Sequence, residues 1–86
     1  MYEIRIKKSA EKDLGALDDK TYIRIDEKIQ RLRNNPFPKG VAKLRGGGNR
    51  YRIRDGKYRM LYEIDQKDKI IIIYRIKLRK TVYGKS

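Results

Sequence analysis

Eighty-six residues, a net charge of +13, no cysteine and no histidine allow one small domain with a single core and exclude a disulfide framework or a thiolate metal site. Without histidine, proton transfer near neutral pH falls to Lys, Tyr, Arg or an acid, and any metal would rest on carboxylates alone. The charge is lopsided: residues 1–27 carry six basic and seven acidic side chains, whereas residues 28–86 carry eighteen and four, which favours nucleic acid or an acidic protein as partner.

Met1 to Lys8 has an acid at position 3 and no apolar run behind its basic residues, so it does not read as a secretory signal. Tyr2, Ile4 and Ile6 alternate instead with Glu3, Arg5 and Lys7, the period of a half-buried strand. Ser9 is placed to cap a short helix running to about Ala16, with Ala10, Leu14 and Leu17 toward the core. A second helix is expected after Asp18 or Asp19, and spacings of three, four and three put Tyr22, Ile25, Ile29 and Leu32 on one face. It ends before Asn34-Asn35-Pro36, because proline disfavours helical backbone in the residue before it. Phe37 to Gly40 continue a loop, and Val41 to Leu44 lead into Arg45-Gly46-Gly47-Gly48-Asn49, a flexible connection whose glycine spacing matches neither nucleotide-binding fingerprint.

Arg50 to Ile64 is a hairpin signal: two alternating runs joined by Asp55-Gly56, which suits a two-residue type I′ turn. That turn predicts Arg54 opposite Lys57, Ile53 opposite Tyr58 and Arg52 opposite Arg59. Alternation puts Arg50, Arg52, Arg54, Lys57 and Arg59 on one face, and Tyr51, Ile53, Tyr58, Met60 and Tyr62 on the other. Like charges directly opposite on a sheet destabilise it by up to about 1 kcal/mol per pair, and no Asp or Glu lies between Lys28 and Arg54 to offset them. The plain reading is a solvated face with its cations splayed apart; the functional one is a polyanion laid across it. Tyr58, Tyr62 and Tyr74 read as core, and Tyr51 as core that reaches the surface at the strand end.

Asp65 to Asp68 is a polar turn, and the β-branched run Ile70 to Ile73 with Tyr74 predicts a central strand covered on both sides. That run is far too short to cross a bilayer, and no basic helix carries the large apolar face that interfacial binding needs. A soluble, cytoplasmic protein with no membrane partner is expected. Arg75, Lys77 and Arg79 share a face if this strand is regular, and an antiparallel register can align it with Arg59. The order strand, helix, helix, three strands gives an α+β domain over residues 1–86: two N-terminal helices packed on one face of a small, mainly antiparallel sheet (β-α-α-β-β-β), the other face open.

Leu44-Arg45-Gly46, the run Tyr51 to Ile64 around Asp55-Gly56, and Arg79 four residues before Tyr83 resemble the RelE family of toxins, in the RelE/ParE toxin–antitoxin superfamily. The match follows order and length along nearly the whole chain. It implies a RelE-like fold and the toxin of a type II system: a ribosome-dependent endoribonuclease that cuts messenger RNA in the decoding site and is silenced by a cognate antitoxin. Such an antitoxin must be acidic to cover so basic a surface. The resemblance carries catalytic roles to Arg52, Arg54, Arg59, Lys77 and Tyr83, and RNA contacts to Arg45 and Arg79. Arg50, Lys57 and Arg75 join the RNA-binding set as neighbouring cations. Arg52 and Arg54 stand where some members carry lysine; arginine stays protonated at any accessible pH, so these two are phosphate clamps and not general bases. Two readings from other classes stand beside this one, a ParE-like poison of DNA gyrase and an RNA- or ribosome-binding module without catalysis.

RNA can be cut without metal, histidine or small-molecule cofactor when its own 2′-hydroxyl attacks the adjacent phosphate. The protein must then take the hydroxyl proton, stabilise the charge of the phosphorane and help the 5′-oxygen leave. Arg59 is the choice for the scissile phosphate, with Arg52 and Arg54 beside it, since guanidinium and phosphate pair bidentately. Tyr83 or Lys77 is left to handle the proton. With a pKa of about 10 a tyrosine is a poor base unless nearby cations favour its phenolate; Tyr83 fits equally as a base-stacking ring or a patch on the core edge, and Lys77 as a solvated strand end.

Overall fold

The computed structural model describes residues 1–46 and 48–78. Strand β1 (Glu3–Ile6) leads into helices α1 (Lys8–Gly15) and α2 (Asp19–Arg31), and strands β2 (Ala42–Lys43), β3 (Arg50–Asp55), β4 (Tyr58–Asp65) and β5 (Ile70–Leu78) complete the described chain. All five strands form one sheet in the order β1-β5-β4-β3-β2. β1 pairs with β5 in parallel, and the other neighbours are antiparallel. The fold is the expected α+β arrangement with one strand more than alternation predicts: Ala42-Lys43 is too short to show a period of two and pairs only at the β3 edge.

Asp18 caps α2, its carboxylate accepting from the Thr21 N–H at 2.9 Å. The Thr21 side chain and then this N–H hold the Asp18 carboxyl below its ordinary value by hydrogen bonding. Ile25, Ile29 and Leu32 are buried as the spacing predicts, but Tyr22 is 44% exposed. With 3.6 residues per turn, Tyr22 lies about 80° around the helix from Leu32, at the margin of the apolar stripe. Tyr62 anchors the loop after α2. Its buried hydroxyl donates to the Pro36 carbonyl at 3.2 Å, and burial pushes its pKa far up. Tyr51 stacks on Tyr62 at 6.2 Å and meets Phe37 edge-on at 5.3 Å.

The other helix departs from its predicted cap. Lys7 occupies the N-cap of α1 and makes no side-chain cap. Ser9 lies inside the helix, and its hydroxyl donates to the Tyr74 carbonyl at 2.7 Å. One turn on, Asp13 accepts from the Ile76 N–H at 2.8 Å and from Arg75 Nε at 2.9 Å. The reason is topological: β1 pairs only with Ile70 to Ile73 of β5, so beyond Ile73 that edge has no strand neighbour among the described residues. Residues four apart lie one above the other on a helix, and Ser9 and Asp13 use that spacing to bond the bare backbone.

Burial pushes the Asp13 carboxyl up, but the hydrogen bonds from Arg75 and the Ile76 N–H, with the charges of Arg75 and Lys77, outweigh it and hold the group below its ordinary value. Asp13→Ala should cost about 1–3 kcal/mol in urea unfolding at pH 7, because the Ile76 N–H loses its acceptor. A depressed folded pKa means the contribution is complete above the unfolded value of about 4 and is lost as pH falls through the lower folded value. The variant should therefore lose less stability than the parent on acidification through that window. Equal stability of the two at pH 7 would remove Asp13 as an edge cap.

Ile71 and Ile73 are fully buried beneath the helices, whereas Ile70 and Ile72 are only half-buried. The β-branched run is thus covered on one side, not two. Among the described residues no helix packs over the face that carries Ile72, and that open face positions the candidate site.

Candidate functional site

The hairpin turns one residue later than its sequence predicts. Asp55 pairs with Tyr58, so the loop residues are Gly56 and Lys57, and of these only Gly56 has a positive φ, +60°. That is the pattern of a type II′ turn, which requires glycine first, and not of type I′. Arg54 consequently faces Arg59, Ile53 faces Met60, Arg52 faces Leu61 and Arg50 faces Glu63. Because the pairing slips by two positions, every strand residue keeps its predicted face while its partner changes. Two expected like-charged pairs become one, and the third basic residue gains an acid.

Continuing across the sheet, Arg59 pairs with Lys77 and Leu61 with Arg75. Arg54, Arg59 and Lys77 thus form one row over three strands, spanning about 10 Å at the usual strand spacing. No carboxylate occupies a register position in that row. Asp55, next to Arg54 in sequence, points to the helix side, where Arg24 holds it at 3.1 Å. The buried Nε–H of Arg59 has no hydrogen-bond partner among the described residues. Leaving a charged donor buried and unmatched costs about 1–3 kcal/mol or more. A guanidinium so placed between two cations offers directed donors and charge to an incoming oxyanion.

The remaining candidates separate by environment. Arg52 is half-buried in the second row, beside Leu61. Arg50 is bonded to Glu63 at 3.0 Å, and Arg75 to Asp13. Arg45 and Lys57 are exposed in the loop before β3 and in the hairpin turn. Arg79 and Tyr83 lie outside the described residues. Carboxylates of the open face gather at its far end, where Glu63 faces Ile72 and Glu3 bonds Arg5 at 2.8 Å. The face therefore grades from purely basic near the hairpin turn to mixed at the opposite end. Among the described residues no group of three or more acidic side chains could hold a metal ion.

Tyr74 corrects the reading of that residue as core. Leu61 pairs with Arg75 but Tyr62 with Ile73, so Tyr74 is the extra residue of a β-bulge. Its ring lies 5.5 Å from the Arg50 guanidinium carbon, on the side of the sheet that Arg50 and Glu63 share. Burial raises its pKa, against the opposing charge of Arg50. A bulge leaves no trace in an apolar run such as Ile70 to Tyr74. Asp13 was equally invisible, because its partners are more than sixty positions away.

A family model described as the ParE toxin of type II toxin–antitoxin systems, parDE, matches residues 4–83. The chain is similar to a putative toxin RelE1 of Methanocaldococcus jannaschii, with 35% identity over 85 residues that cover 95% of this chain and 94% of the relative. It is similar as well to the archaeal RelE–RelB complex from Pyrococcus horikoshii, at 36% identity and a TM-score of 0.84 over 94% of this chain and 98% of that one. The isolated E. coli RelE toxin, 18% identical, shares the fold with a TM-score of 0.82 over 94% of this chain and 87% of its own.

Proposed function

The chain belongs to the RelE/ParE family of type II toxin–antitoxin toxins, and from that premise we propose that it is a ribosome-dependent endoribonuclease cutting messenger RNA in the decoding site. The observation that carries this reading is the row Arg54, Arg59 and Lys77, with the buried Arg59 Nε–H lacking an acceptor among the described residues. In the proposed step the 2′-hydroxyl gives up its proton as its oxygen bonds to the adjacent phosphorus, the bond to the 5′-oxygen breaks, and the leaving oxygen takes a proton from water, giving a 2′,3′-cyclic phosphate and a 5′-hydroxyl. Arg59 grips the reacting phosphate, and Arg54 and Arg52 spread its growing negative charge. Tyr83 or Lys77 takes the 2′-hydroxyl proton, since none of the three arginines can.

The direct test is to incubate the protein with translating ribosomes and map the ends of the message. Cuts that require the ribosome support the nuclease. A second reading draws on the family model, whose description is a ParE toxin: poisoning of DNA gyrase by binding alone. Inhibited supercoiling with intact message would favour it.

The partner in the cell is an acidic antitoxin, as the net charge of +13 and the resemblance to a RelE–RelB complex support. Its association rate should rise as ionic strength falls, because opposite charges steer the encounter over a Debye length of about 10 Å at 0.1 M salt. A rate indifferent to salt would place the docking surface away from the basic face.

A further inference from the structure

Tyr74, at the β4–β5 bulge, is the ring that supports Arg50. Bulges re-aim side chains and gather beside functional sites. The Arg50 guanidinium is held at its Nε by Glu63 at 3.0 Å, and its side chain remains 53% exposed. It is thus fixed at one edge by a carboxylate, backed by an aromatic ring 5.5 Å away, and open to solvent. Glu63 already matches its charge, so its pull on a phosphate is weak, while its flat surface stays available. Leu61 and Ile72, half-buried on the same face, continue an apolar floor toward the Arg59 row.

We propose that Arg50 and Tyr74 form a stacking platform for a nucleobase flanking the scissile phosphate. The proposal rests on the endoribonuclease reading and names a substrate subsite within it. Bases stack on arginine planes as they do on aromatic rings, and a cation over a ring holds the plane in place. Arg59 and Glu63 are four residues apart on β4, about 13 Å at the rise of a strand. The platform therefore meets a neighbouring nucleotide and not the one being cut.

The test measures dissociation constants of the full chain for ribosomes programmed with a message made uncleavable by a 2′-O-methyl group at the cut. Each flanking nucleotide is compared with its abasic equivalent. At one flanking position, loss of the base should weaken binding roughly 5- to 150-fold, the usual range for one stacked base. That penalty should vanish in Arg50→Lys, which keeps the charge but has no planar face, and in Tyr74→Leu, while surviving in Tyr74→Phe. Circular dichroism of each variant reports whether it is folded, and Arg50→Lys carries the conclusion if Tyr74→Leu is not. Arg59→Ala should weaken every message alike. A base-loss penalty that persists in Arg50→Lys, or none at any position in the parent, overturns the platform and leaves Arg59 dependence standing. Binding indifferent to Arg59→Ala as well would overturn the nuclease reading and the platform with it.

Discussion

Arg59→Ala should abolish growth inhibition in cells and lower ribosome-dependent cleavage by roughly 10²- to 10³-fold, the cost of deleting one group that stabilises transition-state charge. The fold should survive. Arg59 stands opposite Arg54 on one side and Lys77 on the other, and removing the middle member of a like-charged row relieves repulsion instead of adding to it. The change also removes a buried donor that has no acceptor among the described residues. Unfolding in urea should show a midpoint equal to or above that of the parent. Arg59→Lys separates charge from geometry: an ammonium keeps the charge but cannot grip a phosphate with two parallel donors, so its rate should fall between the two. Toxicity retained by Arg59→Ala at equal expression would count against phosphate clamping, and a lost circular dichroism spectrum would make Arg59 a structural residue.

A message carrying 2′-deoxy or 2′-O-methyl at the cleaved nucleotide should bind the protein–ribosome complex normally and resist cutting altogether, because in the proposed step the nucleophile belongs to the RNA. The ordinary product should end in a cyclic or 3′-phosphate. Tyr83→Phe removes one oxygen and nothing else. If that oxygen handles the proton, the rate should fall roughly 10²- to 10⁴-fold with binding nearly unchanged, whereas a stacking ring would leave the rate almost intact. In the second case Lys77, beside Arg59 in register, inherits the proton. Undiminished cleavage of the 2′-deoxy message would sink the mechanism, since water would then be the nucleophile.

Much of this was legible in the chain. Helical spacing marked Ala10, Leu14, Ile25, Ile29 and Leu32 as core, and all are buried. Alternation assigned each hairpin strand residue to its face, and the face assignments survived a wrong turn type, because slipping a strand by two positions leaves its parity unchanged. The motifs pointed to the family that the comparisons found.

Local pattern alone determined most of the helical core, which face of the hairpin is basic and which family the chain joins, since those properties depend on neighbours a few positions apart; it misplaced Tyr22 and Tyr74. Tertiary structure decided which cation meets which. Whether Arg52 or Arg54 faces Arg59 depends on where Gly56 takes its positive φ, and Asp-Gly serves either turn. The alignment of Lys77 with Arg59, which the extra residue Tyr74 sets by shifting the alternation after it, and the use of Ser9 and Asp13 to close the bare edge of β5 both join residues distant in sequence. Each follows from one strand being shorter than its neighbour or carrying one residue more, a mismatch that exists only once the strands are laid side by side.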